Sequence, residues 1–249
     1  MASRTEQKQK ARAERDQRAA EQSEREGRRR RLWQLGAAVV TAAALVVIAI
    51  VVGSAKEHKA APPSLFSGIP QSGVVLGNPK APVTMTEFAD LQCPFCKRYT
   101  TDVLPTLVRD YVRTGKVKMV FRDIAFLGSD SVTAGRAATA AGQQNKLWQF
   151  IDVFYGKQQE ENSGYVTDGF IRGVAQDVPA LDVNRLMTAR KSPSTMRDIA
   201  QARTQGHALK VQSTPSFFLQ RGNGPQKALE FGDYTPGSFT GPIDSALGG

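Results

Sequence analysis

From about residue 78 onward the chain alternates between two hydrophobic periods. Val83 to Phe88 is a β-branched, apolar run that reads as a short buried strand. Val103, Leu104, Leu107, Val108, Tyr111 and Val112 then recur three and four residues apart, which predicts an amphipathic helix over Cys96–Thr114. Pro105 falls inside that helix and should kink it, and Gly115 closes it. Val117–Phe121 alternates as a strand does. Between Asp130 and Lys210 helical patterns fall near Ser131–Gln143, Leu147–Tyr155, Asp168–Asp177, Val183–Ala189 and Thr195–Leu209, with Gly164, Pro179 and Pro193 marking breaks. Trp148, Phe150, Ile151, Phe154 and Tyr155 read as the core of this bundle. Strands at Ser216–Gln220 and Gln226–Phe231 and a short final helix complete an α/β order.

The first quarter of the chain follows neither period. Leu32 to Ala55 carries no charge, and its apolar part, Leu35 to Val52, would span about 27 Å as a helix, close to a bilayer's hydrocarbon core. Trp33 sits at the boundary, and Arg28–Arg31 immediately precede the span, so the positive-inside rule places the N-terminus in the cytoplasm and everything after Ala55 outside. A retained single-pass anchor over 32–55 is the reading the length favours. A cleaved signal peptide is the competing one, with Gly53 and Ala55 as small residues before a cut. No cysteine follows the span until Cys93, which excludes a lipoprotein. Residues 56–77 are rich in Pro, Ala, Ser and Gly and are expected to be a tether, with His58 a solvated linker histidine.

Charge changes this picture little. The 249 residues carry a formal charge of +10, but half of that excess belongs to residues 1–31, a basic arm almost without large apolar side chains and expected to be disordered. The remainder shows no basic stripe with interleaved aromatics, so nucleic acid is not an expected partner.

The chain has two cysteines, Cys93 and Cys96, placed where the first predicted strand hands over to the first predicted helix. Unpaired N–H groups and the positive end of the helix dipole favour an anion at that point, and the thiolate is the form of cysteine that attacks disulfides. In such a pair the first sulfur faces solvent as the stabilised thiolate, while the second is shielded and resolves a mixed disulfide. Half a zinc site would need two more ligands, which no other cysteine or nearby histidine offers. A purely structural disulfide is disfavoured because so short a loop removes little chain entropy.

A second element, Val211-Gln-Ser-Thr214-Pro215-Ser-Phe-Phe218-Leu, opens a buried strand with a proline. Together with Asn78-Pro-Lys-Ala-Pro-Val83 and Glu87-Phe-Ala-Asp-Leu-Gln-Cys93-Pro94, it makes the chain resemble the DsbA family of thiol-disulfide oxidoreductases, members of the thioredoxin-fold superfamily. The resemblance implies a thioredoxin-like fold over 78–249 with a helical domain inserted at about 129–210. It implies a cis Thr214-Pro215 that faces the cysteines and clamps substrate backbone together with Pro94 and Phe95, and a buried Glu87 that relays protons. Asp90 is expected to cap the approach to the helix. Where the best-known oxidants of the family carry histidine, this chain carries Phe95, which brings no charge to the thiolate; Lys97 or Arg98 stands nearby to compensate.

The expected function is therefore that of a membrane-anchored enzyme, its catalytic domain outside the cell membrane, introducing disulfides into exported proteins. Cys93 would be the attacking sulfur and Cys96 the resolving one, with no cofactor beyond their disulfide. The resemblance further implies reoxidation by a quinone-linked membrane partner of the DsbB or vitamin-K-epoxide-reductase type. An extracytoplasmic reductase or isomerase, for example in cytochrome c maturation, is the alternative within enzymes. A peptide-binding module or holdase without redox turnover is the alternative outside them.

Overall fold

A computed structural model describes residues 65–248. The expected basic arm and membrane anchor lie outside the described residues, and among those described no helix is long and apolar enough to cross a membrane.

Six strands form one sheet in the order β1-β2-β4-β3-β5-β6. They are β1 (Gln71–Ser72), β2 (Val75–Leu76), β3 (Val83–Ala89), β4 (Val117–Asp123), β5 (Ser216–Arg221) and β6 (Lys227–Leu229). β3 lies at the centre, parallel to β4 and antiparallel to β5, with Glu87 opposite both Phe121 and Phe217. Its residues are buried on both faces, as a central strand between covering helices requires. β4 alternates buried and half-buried positions, with Val117, Met119, Phe121 and Asp123 turned inward.

Between β3 and β4 run α1 (Pro94–Asp102), α2 (Leu104–Leu107) and a π-helical turn (Val108–Val112). The single helix expected over Cys96–Thr114 is thus three pieces. Pro105 cannot donate back to Thr101, and the chain breaks at Val103 before restarting with the proline in the first turn of α2. Five helices, α3 (Ser129–Gly142), α4 (Leu147–Gly156), α5 (Asp168–Gln176), α6 (Val183–Ala189) and α7 (Pro193–Ala208), separate β4 from β5 and form the inserted helical domain. The α3 face is built of Ala134, Gly135, Ala137, Ala138, Ala140 and Ala141, all buried, so its backbone approaches the sheet closely. At Gly135 the approach is tight enough that a Cβ would stand 2.4 Å from the Asp123 carboxylate. α8 (Pro236–Gly248) closes the fold, placing Phe239 against Tyr99 and Phe217. The aromatic residues of α4 are core, as expected: Trp148, Phe150, Phe154 and Tyr155 are all fully buried.

The expected tether needs correction. From Leu65 the chain is already part of the folded unit. Phe66 is buried and packs 6.2 Å from the Trp148 ring, Ile69 and Leu76 join the same core, and Arg113 donates to the carbonyls of Leu65 and Ser67. The β1–β2 hairpin pairs with β4 and extends the sheet. Strands of two residues are too short to show a period, which is why this stretch reads as linker.

Removing the Phe66 ring should therefore cost as much as a core aromatic does. Phe66→Ala is expected to lower stability by about 3–5 kcal/mol, seen as a lower urea midpoint at unchanged slope. A change within about 0.5 kcal/mol would mean that the 65–77 segment adds nothing to the fold.

Candidate active site

β3 ends at Ala89, and a four-residue turn leads into α1, whose N-cap is Cys93 and whose first residue is Pro94. Proline suits that position because its missing N–H would have had no partner in the first turn. α1 has no side-chain cap; its N-terminal N–H groups instead face the Cys93 sulfur. The cysteines are free thiols here. On the other side of the sulfur lies the cis Thr214-Pro215 bond just before β5, and the Cys93 thiol donates to the Thr214 carbonyl at 3.2 Å. The strand register explains this meeting, since Ser216 pairs with Phe88 and so brings Pro215 to the end of β3 where the cysteine turn begins.

The two cysteines are held unequally. The Cys93 thiol is lowered from 9.0 to about 6: the Cys96 thiol's hydrogen bond is the largest cause, ahead of the Thr214 side chain and the N–H groups of Cys96 and Phe95, and partial burial opposes them. The Arg98 guanidinium lies over the Tyr234 ring at 5.3 Å and beside Asp102 at 3.6 Å. Burial pushes the Cys96 thiol well above its ordinary value, and the neighbouring Cys93 adds to that. Contrary to expectation, Cys93 is not open to solvent: only 4 % of it is exposed, against 0 % for Cys96. The Thr214 carbonyl lies against the Cys93 sulfur, so the two thiols differ in their hydrogen-bond partners far more than in exposure.

Beneath the pair, Glu87 is 1 % exposed, and one carboxylate oxygen accepts no hydrogen bond among the described residues. Burial, then the charge of Cys93, raises its carboxyl from 4.5 to about 8. An acid with that value is protonated at neutral pH and can exchange its proton there. The buried hydroxyl of Tyr99 also lacks a partner among the described residues, and it feels Glu87.

Phe95 is 54 % exposed, one of the two most exposed large apolar side chains among the described residues. It stacks on Tyr234 with ring centroids 6.0 Å apart and planes 14° from parallel. The stack walls one end of a cavity of about 490 Å³ that is also lined by Thr214, Pro215, Phe217 and Leu229. The structure thus brings Cys93, Cys96, Glu87, Pro94, Phe95, Thr214 and Pro215 to one place. His207, near the end of α7, is exposed.

Asp90 does not cap the helix. Its fully buried carboxylate accepts from the N–H of Gln92 at 2.8 Å and, with the other oxygen, from those of Phe126 and Leu127 at 2.8 and 3.0 Å. It ties the cysteine turn to the loop after β4. Sequence reasoning also passed over Gln92, whose buried amide joins Tyr165 and the Asn162 N–H, and over Tyr234. Gln92 sits inside the segment that carries the family resemblance, which was the one available signal.

Two outcomes follow. In the reduced protein Cys93 should alkylate with a midpoint near pH 6 while Cys96 stays inert until unfolding; equal labelling of both would contradict the asymmetry. Glu87 binds its proton more tightly folded than unfolded, so its burial costs stability increasingly as pH rises from about 4.5 to about 8 and no further. Reduced Glu87→Gln should gain on wild type by ~3–5 kcal/mol across that window in urea unfolding, and a pH-independent difference would show that the carboxyl is not held neutral.

The thioredoxin family model matches residues 70–227. The probable disulfide bond formation protein D of Bacillus cereus is 30% identical over 147 residues, covering 58% of this chain and 68% of that protein. The crystal structure of oxidised BdbD from Bacillus subtilis shares the fold with a TM-score of 0.63 at 23% identity, over 73% of this chain and 98% of that one. That of Wolbachia pipientis α-DsbA1 does so at 0.60 and 24%, over 70% and 90%. With its cysteine pair at a helix N-terminus facing a cis-proline, a helical insertion and these relatives, the chain belongs to the thioredoxin family, within which it is a DsbA-type thiol-disulfide oxidoreductase.

Proposed function

We propose that the chain is a disulfide donor for exported proteins, acting through Cys93-Pro94-Phe95-Cys96. The observation that carries this reading is the unequal hold on the two sulfurs. A thiol lowered to about 6 is a good leaving group, and a pair whose reduced form is stabilised in this way gives its disulfide away.

The reaction is two exchanges. A substrate thiolate attacks Cys93, breaking the Cys93–Cys96 bond and leaving Cys96, whose high pKa calls for a proton; neutral Glu87 supplies it. The second substrate thiolate then attacks the substrate sulfur of the mixed disulfide, and Cys93 departs as the thiolate held by the α1 N–H groups. The substrate leaves with one disulfide, and the enzyme holds two electrons more. The cis Thr214-Pro215 segment and the Phe95 side of the cavity would seat the extended substrate. Reoxidation would fall to a quinone-linked membrane enzyme of the DsbB or vitamin-K-epoxide-reductase type. The uncharged span at 32–55, preceded by Arg28–Arg31, supports a single-pass anchor with the domain outside.

Cys96→Ser should accumulate mixed disulfides through Cys93 with exported proteins: the Cys93 thiolate attacks a substrate disulfide and expels one of its sulfurs as a thiolate, and no Cys96 thiol remains to displace the substrate that stays bound. The wild-type pair should also be more oxidising than thioredoxin, whose potential is about −270 mV, and the protein should be more stable reduced than oxidised. A potential at or below thioredoxin's, with the disulfide form the more stable, would replace the donor by the reductase reading.

A further inference from the structure

The helical insertion reaches the cysteine turn through the end of α4. Tyr155 in its last turn and Gln158, two residues past its last residue Gly156, are each turned toward the turn's backbone. The buried Tyr155 hydroxyl donates to the Asp90 carbonyl at 3.2 Å. The Gln158 side-chain amide donates to two further carbonyls, Leu91 at 2.8 Å and Cys93 at 3.2 Å. The end of α4 thus takes the carbonyls of residues 90, 91 and 93, missing only that of Gln92.

The Cys93 carbonyl matters for a reason set by the sequence. The peptide that joins Cys93 to Pro94 has no N–H, so its carbonyl is the one polar group by which that plane can be held. The carbonyl already accepts the first bond of α1, from the Lys97 N–H at 3.2 Å. The Gln158 amide adds a second donor from outside the helix. Tilting this plane turns the N-cap residue, and with it the sulfur, relative to the N–H groups of Phe95 and Cys96.

We propose that Gln158 is a positioning residue for disulfide exchange: by holding the Cys93 carbonyl it fixes the reactive sulfur over the N-terminus of α1, and so couples the inserted helical domain to the chemistry. The substrate does not touch Gln158 in this scheme. The inference rests on Cys93 being the reacting sulfur, as proposed above.

The test uses the full chain with Gln158→Met, which keeps length and loses the donor, and with Gln158→Glu, which also loses the amide and turns an acid toward the carbonyls. Gln144→Met is the control. Gln144 bridges the Asp182 N–H and carbonyl at 3.0 and 3.1 Å within the insertion, in the same kind of bond, away from the cysteines. Folding is checked by a cooperative urea transition for each variant. Gln158→Met is expected to raise the Cys93 alkylation midpoint by half to one pH unit, a roughly three- to tenfold loss of thiolate, equivalent to about 15–30 mV toward a less oxidising couple. Gln158→Glu should raise it further. Gln144→Met should lose stability and leave both midpoint and potential where they are. A folded Gln158→Met or Gln158→Glu with wild-type midpoint and potential overturns the proposal, as does a Gln144→Met that shifts them equally. If Cys93 of the wild type is not the thiol that titrates near pH 6, the failure belongs to the assignment of the reactive sulfur.

Discussion

The buried carboxylate of Asp90 is the joint on which the catalytic end of this molecule depends. It accepts N–H groups from both its own turn and the loop that follows β4, while its backbone carbonyl takes the Cys93 N–H and the Tyr155 hydroxyl. A buried polar acceptor left without partners costs free energy. Supplied with three backbone donors, it instead fixes two parallel-strand exits against each other at a set distance. The loop it grips leads straight into α3, so the same group that shapes the redox turn also sets where the helical insertion departs.

Around that joint, the chemistry is a matter of unequal environments for similar groups. Two thiols three positions apart shift in opposite directions, because Cys93 accepts the Cys96 thiol's hydrogen bond, with Thr214 and the helix-start N–H groups adding to it, while Cys96 is buried beside Cys93. Two buried acids close to them also differ in use. Both oxygens of Asp90 accept backbone N–H groups, and Glu87 keeps an oxygen without a partner among the described residues and a carboxyl raised to about 8. The opposite strain appears at Asp123, where α3 must present a glycine to make room for the side chain.

Much of this was legible in the sequence, and the parts that were not share a physical cause. β3, β4, β5 and the five inserted helices carry long periodic patterns, and the Thr214-Pro215 and Cys93–Cys96 motifs identified the meeting of β3 and β5. The β1–β2 hairpin escaped because two residues cannot display alternation. Gln92 and Gln158 escaped because a polar side chain that serves a distant backbone group leaves no period at all. Asp90 was misread because an aspartate just ahead of a helix looks like a cap, and only the folded β4 loop shows its other partners. The stacking of Phe95 on Tyr234 joins residues 139 positions apart, so neither local sequence could announce it. Cys93 is expected to face solvent as the attacking member of a Cys-x-x-Cys pair; the Thr214 carbonyl that lies against it comes from the distant approach to β5.

The brevity of the outermost strands has a meaning for an enzyme of this class. Among the described residues the sheet ends on a two-residue strand at one side and a three-residue strand at the other. Unfolded chains readily add themselves to any long, flat border of unpaired backbone. Borders this short offer almost no template. On the function proposed above, an extended client held at Cys93 would find little at either border to pair with.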